Sequence, residues 1–240
     1  MINPFDFAIM RSLNGILRHW KLLDELMVFL RSTVLFSGAI PVASFWYVWQ
    51  RCGKDEAAST EKRQYLLSGI VCCAVAVFMA RLISFLVPFR VRPLAEPTLF
   101  YQAPYGGQNL RATMISWNSF PSDHAALLFC LAVGIWLVSR PVGIFTITYV
   151  VLCGLVPLVY IGQHYPTDIM AGCVVGGAAA LPQTIPAFRA GLTGPALRWM
   201  NKEAGSFYAF LFLCTFEIGE LFNSLSDTAV NALKALHLLH

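Results

Sequence analysis

The sequence predicts an all-α fold: a polytopic membrane helix bundle with six transmembrane helices and an N-terminal interfacial amphipathic helix. Composition is the first observation behind this prediction. Of the 240 residues, 57% are hydrophobic and only 12% are charged, and the mean hydropathy is +0.62, whereas about a quarter of the residues in a soluble domain are charged. The second observation is that apolar runs approaching about twenty residues, the length that a helix needs to cross a bilayer, recur along the chain.

Six apolar segments qualify as membrane spans or nearly do. They are Ser32–Trp49, Tyr65–Val87, Phe120–Val138, Val142–Gly162, Ile169–Ala187 and Phe207–Phe222. Before them, Phe5–Trp20 mixes apolar side chains with Asp6 and Arg11, which is typical of an amphipathic helix at the membrane interface. A short lead-in that packs on the bundle explains this segment equally well. We therefore divide the chain into an N-terminal segment (1–31), a membrane domain (32–224) and a C-terminal tail (225–240).

Charge and cysteine content limit the classes of partner. The net charge is +4 and the basic residues are scattered, which gives no indication of a nucleic-acid partner. The seven cysteines fall almost entirely inside apolar runs, without C-x-x-C spacing or neighbouring histidines. We interpret them as core residues rather than disulfides or metal ligands. The bilayer is the partner that the composition indicates.

Two polar clusters, "NSFPSDH" and "YIGQHYPTD", lie at the ends of apolar segments. The first cluster ends the long connection after the second span, and the other lies two spans later, so both face the same side of the membrane. Arg90, Arg92 and Arg111 share that side. Lysine and arginine divide evenly between the two faces. If Arg90 and Arg92 are retained for chemistry, the short, densely charged first loop is cytoplasmic and the clusters face outward.

The residue types in these clusters are those of a phosphate site. Pro121 and Pro166 stand near helix starts, where proline loses no hydrogen bond. Ser119 and Ser122 are good N-capping types, and the unpaired amides of a helix start bind anions. Arginine is a preferred phosphate ligand as well.

Two histidines fit phosphoryl transfer, because one can attack phosphorus while the other protonates the leaving oxygen. Asp168, four residues after His164, is placed to orient its imidazole. A metal site built from His124, His164, Asp123 and Asp168 is the alternative. The neighbouring arginines argue against it, because cations repel a metal ion. Interfacial capping is the simplest reading of either cluster alone.

These residues resemble the type 2 phosphatidic acid phosphatase family of integral-membrane lipid phosphatases. The family signatures are K-x6-R-P, P-S-G-H and S-R-x5-H-x3-D. The corresponding stretches here are "FLVPFRVRP", "PSDH" and "PLVYIGQHYPTD". The second is similar to the bacterial branch that includes undecaprenyl-diphosphatases. The resemblance covers roughly residues 65–180 and places the protein in a bacterial inner membrane.

The resemblance implies a role for each matched residue, without metal or other cofactor. His164 is the nucleophile that forms a phospho-histidine, and Asp168 orients it. His124 protonates the leaving group and later assists the attack of water. Three groups hold the phosphate: the side chains of Arg92 and Ser122 and the backbone amide of Asp123.

Two family cations are missing, because Phe85 stands at the lysine position of the first signature and Leu158 at the arginine position of the third. Each charge-assisted contact is worth about 1.5–3 kcal/mol, so another cation is expected to substitute. Arg81 lies one helical turn before Phe85 on the same face, and Arg90 and Arg111 are further candidates. The carboxylate of Asp123, which replaces a glycine, is expected to pair with an arginine.

The resulting functional prediction is an integral-membrane phosphatase of a lipid phosphate, either a polyprenyl phosphate or diphosphate or a phosphatidic-acid-like lipid. Two alternatives stay open: transfer of the phosphoryl group from such a lipid to another acceptor, and a non-catalytic relative that binds or transports a phospholipid. The spacing Gly172-x-x-x-Gly176 predicts close packing between two helices rather than a functional site.

Overall fold

The computed structural model describes residues 2–52, 56–107 and 117–221, and the regular elements in these ranges are all helical. The all-α prediction is confirmed for this part of the chain. Three features of the prediction lie outside the described residues: Arg111, the tail of residues 225–240, and Phe222 at the end of the sixth span.

The α-helices of the described residues are numbered in chain order. They are α1 (Pro4–Ile16), α2 (Lys21–Ser32), α3 (Ile40–Gln50), α4 (Glu56–Leu86), α5 (Asp123–Val138), α6 (Arg140–Tyr149), α7 (Val156–Tyr160), α8 (Pro166–Ala180), α9 (Pro186–Lys202) and α10 (Ala204–Gly219). Turns of π-helix precede α3 (Leu35–Ala39) and join α6 to α7 (Val150–Leu155). Short 3-10 turns occupy Pro93–Ala95, Pro97–Leu99 and Leu181–Thr184.

Two stretches of helix are long and apolar enough to cross a membrane, namely Ala57–Leu86 and Arg140–Tyr160. Two bent pairs raise the number to four if each is one span: α2 with Leu35–Gln50, bent by 68°, and Pro166–Thr184 with α9, bent by 84°. The helices α5 and α10 are apolar but shorter, at 16 residues each. The described residues therefore support a membrane protein with two to four candidate spans, and the number six stays a prediction.

The fifth predicted span, Ile169–Ala187, is interrupted in the structure. Helix α8 ends at Ala180, and α9 begins at Pro186 in a new direction. Proline has no N–H to donate and disfavours the helical conformation in the residue before it. Ile185, before Pro186, is extended, with φ −88° and ψ 113°. The apolar stretch therefore forms two helices rather than one.

The helix α5 lies at the centre of the bundle and packs against α4, α6 and α8. Glycine lets α8 approach it closely. A Cβ atom at Gly172 would lie 2.4 Å from the carbonyl oxygen of Ser122, and one at Gly176 would lie 2.2 Å from that of Ala126. The helix-packing role predicted for both glycines is confirmed. This close approach sets the first turns of α5 and α8 side by side.

The helix α1 packs on the same end of the bundle. Its Met10 is completely buried in a second apolar cluster, which includes Leu94 and Tyr101 from the long loop and Tyr165 beside α8. Asp6 is also completely buried. Packing on the bundle, one of the two interpretations of this segment, describes these contacts. An interfacial position in the membrane stays a prediction.

Candidate active site

The two polar clusters meet where α5 and α8 begin. The Ser122 amide donates to the Asp168 carbonyl oxygen over 3.1 Å, and the ring centroids of His124 and His164 are 6.5 Å apart. Beside them lies a cavity of about 810 Å³. Its lining includes Arg81, Phe85, Phe89, Arg92, Trp117, Asp123 and His164. One cavity therefore has cations, a histidine and exposed aromatic rings in its wall.

His164 is almost completely buried, and its two ring nitrogens have different surroundings. Its Nδ1 lies 2.8 Å from the Ser119 carbonyl oxygen. A carbonyl oxygen can only accept a hydrogen bond, so Nδ1 carries a proton, and in the neutral imidazole the lone pair is then on Nε2. Nε2 is buried without a hydrogen-bond partner among the described residues. This is the protonation pattern that a histidine nucleophile requires.

Asp168 contacts Ser119 rather than His164. The nearest carboxylate oxygen lies 3.8 Å from His164 Nδ1, beyond hydrogen-bonding distance. The carboxylate accepts hydrogen bonds from the Ser119 hydroxyl at 2.6 Å and from the Tyr165 amide at 2.9 Å. Asp168 therefore fixes the position of Ser119, and the Ser119 carbonyl oxygen in turn accepts the hydrogen bond from His164. An orienting role for Asp168 stays a prediction, and in this geometry it acts through Ser119.

His124 forms a pair with Asp123. Its Nδ1 lies 2.8 Å from Asp123 Oδ1, and the same oxygen accepts from the His124 amide at 2.9 Å. The other ring nitrogen, Nε2, lies 3.1 Å from Nη2 of Arg31 in α2. A guanidinium only donates, so Nε2 accepts from Arg31 and Nδ1–H donates to Asp123.

Arg81 and Arg92 both line the cavity. The Nε atom of Arg81 lies 3.5 Å from Asp123 Oδ2, so the expected pairing of Asp123 with an arginine is confirmed. Nε of Arg92 donates to the Trp117 carbonyl oxygen over 3.4 Å. Burial lowers the pKa of Arg92, and the carboxylates of Asp123 and Asp168 oppose that shift.

Arg90 contacts carboxylates instead. Its guanidinium donates to Asp168 and to Asp6, the latter over 2.6 Å, and lies 4.1 Å from the ring centroid of Tyr165. It lines a neighbouring cavity of about 460 Å³. A direct phosphate contact by Arg90 stays a prediction, and the observed contacts tie α1 to the start of α8.

Ser122 is completely buried at the N-cap of α5, where its hydroxyl accepts from the Ala125 amide over 3.3 Å. Its predicted capping is confirmed, and a contact with phosphate stays a prediction. Among the described residues, no group of three or more His, Cys, Asp or Glu side chains is arranged to hold a metal ion.

Sequence reasoning missed Arg31 and gave Asp6 no role beyond amphipathic character. Both lie in the N-terminal segment, far along the chain from the motifs they contact. Asp6 does carry one local signal, because "NPFD" combines an Asn cap, a following proline and an acidic residue in the first turn of α1. Arg31 carries no such signal.

Comparisons with known proteins identify relatives of this chain. The undecaprenyl-diphosphatase BcrC of Bacillus subtilis (strain 168) is 23% identical over 171 residues, which cover 71% of this chain and 78% of that protein. The bacitracin transport permease protein BcrC of Bacillus licheniformis is 22% identical over 175 residues, covering 71% and 75%. No solved structure gives a significant match. The model of the PAP2 superfamily matches residues 47–188, more than half of the chain. The resemblance stated from the motifs is thus confirmed, and the chain belongs to the PAP2 superfamily.

Proposed function

We propose that the protein is an integral-membrane lipid phosphatase that hydrolyses a polyprenyl phosphate or diphosphate, with undecaprenyl diphosphate as the first candidate. The proposal rests on His164, which lines the cavity and whose buried Nε2 has no hydrogen-bond partner in the described part of the chain. In its neutral form, an imidazole whose Nδ1 donates to a carbonyl oxygen has a lone pair on Nε2 with which it can attack phosphorus. Family membership and the name of the B. subtilis relative support the choice of lipid.

In the first proposed step, His164 Nε2 attacks phosphorus, a P–N bond forms, and the bond from phosphorus to the leaving oxygen breaks. His124 donates a proton to that oxygen. The Asp123 carboxylate at 2.8 Å stabilises the doubly protonated imidazole from which the proton leaves. In the second step, water attacks phosphorus, gives its proton to His124, and the P–N bond breaks to restore His164.

The cavity wall offers a reason for a lipid substrate. Phe85 and Leu86 at the end of α4 are 87% and 76% exposed, so an apolar surface adjoins the polar site. An isoprenoid chain can lie along such a surface while its headgroup enters among Arg81, Arg92 and His164. Shared contacts for chain and headgroup favour an amphiphilic substrate over a soluble phosphate ester.

Arg81 is the proposed replacement for the lysine missing at Phe85. Arg81→Ala should raise KM for the lipid roughly tenfold or more, because it removes a charge-assisted contact. Steady-state kinetics on the purified protein would measure this effect, with Arg51→Ala as a control because Arg51 is exposed and contacts Tyr47. An unchanged KM and turnover in a folded Arg81→Ala protein would exclude this role.

We further propose that the site faces the periplasm or cell exterior from a bacterial inner membrane, because the dense charge of the first loop favours the cytoplasm. A membrane-impermeant thiol reagent added to spheroplasts should label a cysteine placed at Phe100, on the same face as the site, but not one placed at Lys62. The opposite labelling pattern would reverse the assignment.

Transport is the second candidate function, favoured by the name of the B. licheniformis relative. Phosphoryl transfer from the lipid to an acceptor other than water is a variant of the phosphatase reaction. A transporter has no need of a nucleophile, so loss of the His164 side chain separates the two classes. Assaying phosphate release with and without added acceptor alcohols would separate hydrolysis from transfer.

A further inference from the structure

Arg31 is the side chain of this site that neither the motifs nor the family match accounts for. It lies in the last turn of α2, before residue 47, where the family match begins. Its Nε donates to Gln163 Oε1 over 2.9 Å, and its Nη2 donates to His124 Nε2 over 3.1 Å. Both acceptors are uncharged, because an imidazole nitrogen that accepts a hydrogen bond carries no proton.

The carboxylate of Asp123 acts on the charge of Arg31 from beyond ion-pair distance, and it is itself bonded to His124 and Arg81. Two of the other arginines near the site form ion pairs: Arg81 with Asp123, and Arg90 with Asp6 and Asp168. Arg92, like Arg31, forms no ion pair within the described residues, and its Nε donates to the Trp117 carbonyl oxygen. No carboxylate of the described residues lies within 4.0 Å of Arg31. A partly buried charge without a partner is costly. The hydrogen bonds to Gln163 and His124 use only two of its five N–H groups.

The position of Arg31 connects this unpaired charge with the cavity. His124, which it contacts, is bonded to Asp123 in the cavity wall, and the His124 ring lies 6.5 Å from that of His164. Arg31 also contacts Gln163, the residue before His164, so the proposal requires that a phosphate on His164 Nε2 also meets the Arg31 guanidinium. Leu158, at the position of the missing family arginine, is 1% exposed and supplies no charge.

We propose that Arg31 binds the phosphate of the substrate and supplies, from the N-terminal helix α2, the guanidinium that position 158 lacks. The identity of the phosphate as that of a lipid rests on the proposed function. One consequence concerns His124. When Nη2 turns from His124 to a phosphate oxygen, His124 Nε2 loses its hydrogen-bond donor and becomes able to carry the proton for the leaving group. Phosphate binding by Arg31 therefore also frees His124 Nε2 to act as the general acid.

The test uses inorganic phosphate as the probe, so that it does not depend on turnover. Isothermal titration on the purified full-length protein should show that Arg31→Gln weakens phosphate binding about tenfold or more, the loss expected for a charge-assisted contact. Arg31→Lys keeps the charge but loses the planar guanidinium, so its phosphate affinity should lie between those of the wild type and Arg31→Gln. The matched control is Lys21→Gln, which removes a charge from the exposed start of the same helix and should bind phosphate like the wild type.

Each outcome decides a separate question. A folded Arg31→Gln protein that binds phosphate within about twofold of the wild type would overturn the proposal, given a precision of about 0.4 kcal/mol. If Arg31→Gln does not fold, Arg31→Met takes its place, because it keeps much of the aliphatic stem without the charge, and unchanged phosphate binding by that variant would overturn the proposal equally. Phosphate binding that depends on Arg31, in a protein that releases no phosphate from any lipid, would leave this inference standing and remove the phosphatase. If Arg31→Gln hydrolyses the lipid with unchanged phosphate binding and unchanged KM, the phosphatase stands and the role of Arg31 is removed.

Discussion

His164→Ala should abolish phosphate release from undecaprenyl diphosphate, lowering turnover by at least about a thousandfold, as expected for loss of a nucleophile. The substitution removes the only ring nitrogen that is proposed to attack phosphorus and leaves the cations of the cavity in place. Lipid binding should therefore persist, and the loss should appear in kcat rather than in KM. Phosphate release by the purified variant in detergent measures the effect.

The control for this experiment is His19→Ala. His19 is exposed between α1 and α2, and its ring contacts the Leu17 carbonyl oxygen rather than any site residue. Its activity should match that of the wild type. A folded His164→Ala protein that retained phosphate release would refute the catalytic assignment and shift the choice of nucleophile away from the third signature.

Gly176→Ala should lower the free energy of unfolding by about 2–3 kcal/mol, the cost typical of overpacking. The added Cβ would lie 2.2 Å from the Ala126 carbonyl oxygen and 3.1 Å from its Cα atom. Because these are backbone atoms, no side chain can rotate away to make room. The helices α5 and α8 must separate, and that separation moves His124 away from His164. Phosphate release should fall together with thermal stability.

The neighbouring Gly177→Ala is the matched control. A Cβ atom there would lie 3.7 Å from Phe129 Cε1, an ordinary van der Waals contact. Alanine is also favoured over glycine in a helix by about 1 kcal/mol, so this variant should be as stable as the wild type or slightly more so. Equal melting temperatures for the two variants would contradict the close packing of α5 on α8.

Local sequence signals predicted the parts of the site that depend on nearby residues. Ser122 was recognised as a cap because its hydroxyl bonds an amide only three residues away. Pro166 was recognised near a helix start, and it is the first residue of α8. The hydropathy of the chain predicted helices in a membrane protein, and the three signatures predicted the family. For the two helix starts, a short stretch of chain contains all the residues that interact.

The parts that could not be predicted depend on contacts between distant segments. Arg31 meets His124 across 93 positions and Gln163 across 132, and no local pattern specifies such a pairing. The partners of Arg90 were missed for the same reason, since Asp6 lies 84 positions away. Asp168 has the spacing of a direct partner for His164, yet the Ser119 carbonyl oxygen occupies Nδ1. Helix spacing alone cannot show that a loop enters between two side chains.

The proposed mechanism requires His164 to form a covalent bond to phosphorus. The most direct test is to mix the purified protein with undecaprenyl diphosphate labelled in its terminal phosphate, quench within milliseconds in alkali, and map the labelled residue by mass spectrometry. We expect an acid-labile, alkali-stable phosphoryl group on His164, present in the wild type and absent from His164→Ala. Phosphate release without any labelled histidine, in a wild-type protein that turns over at full rate, would contradict it.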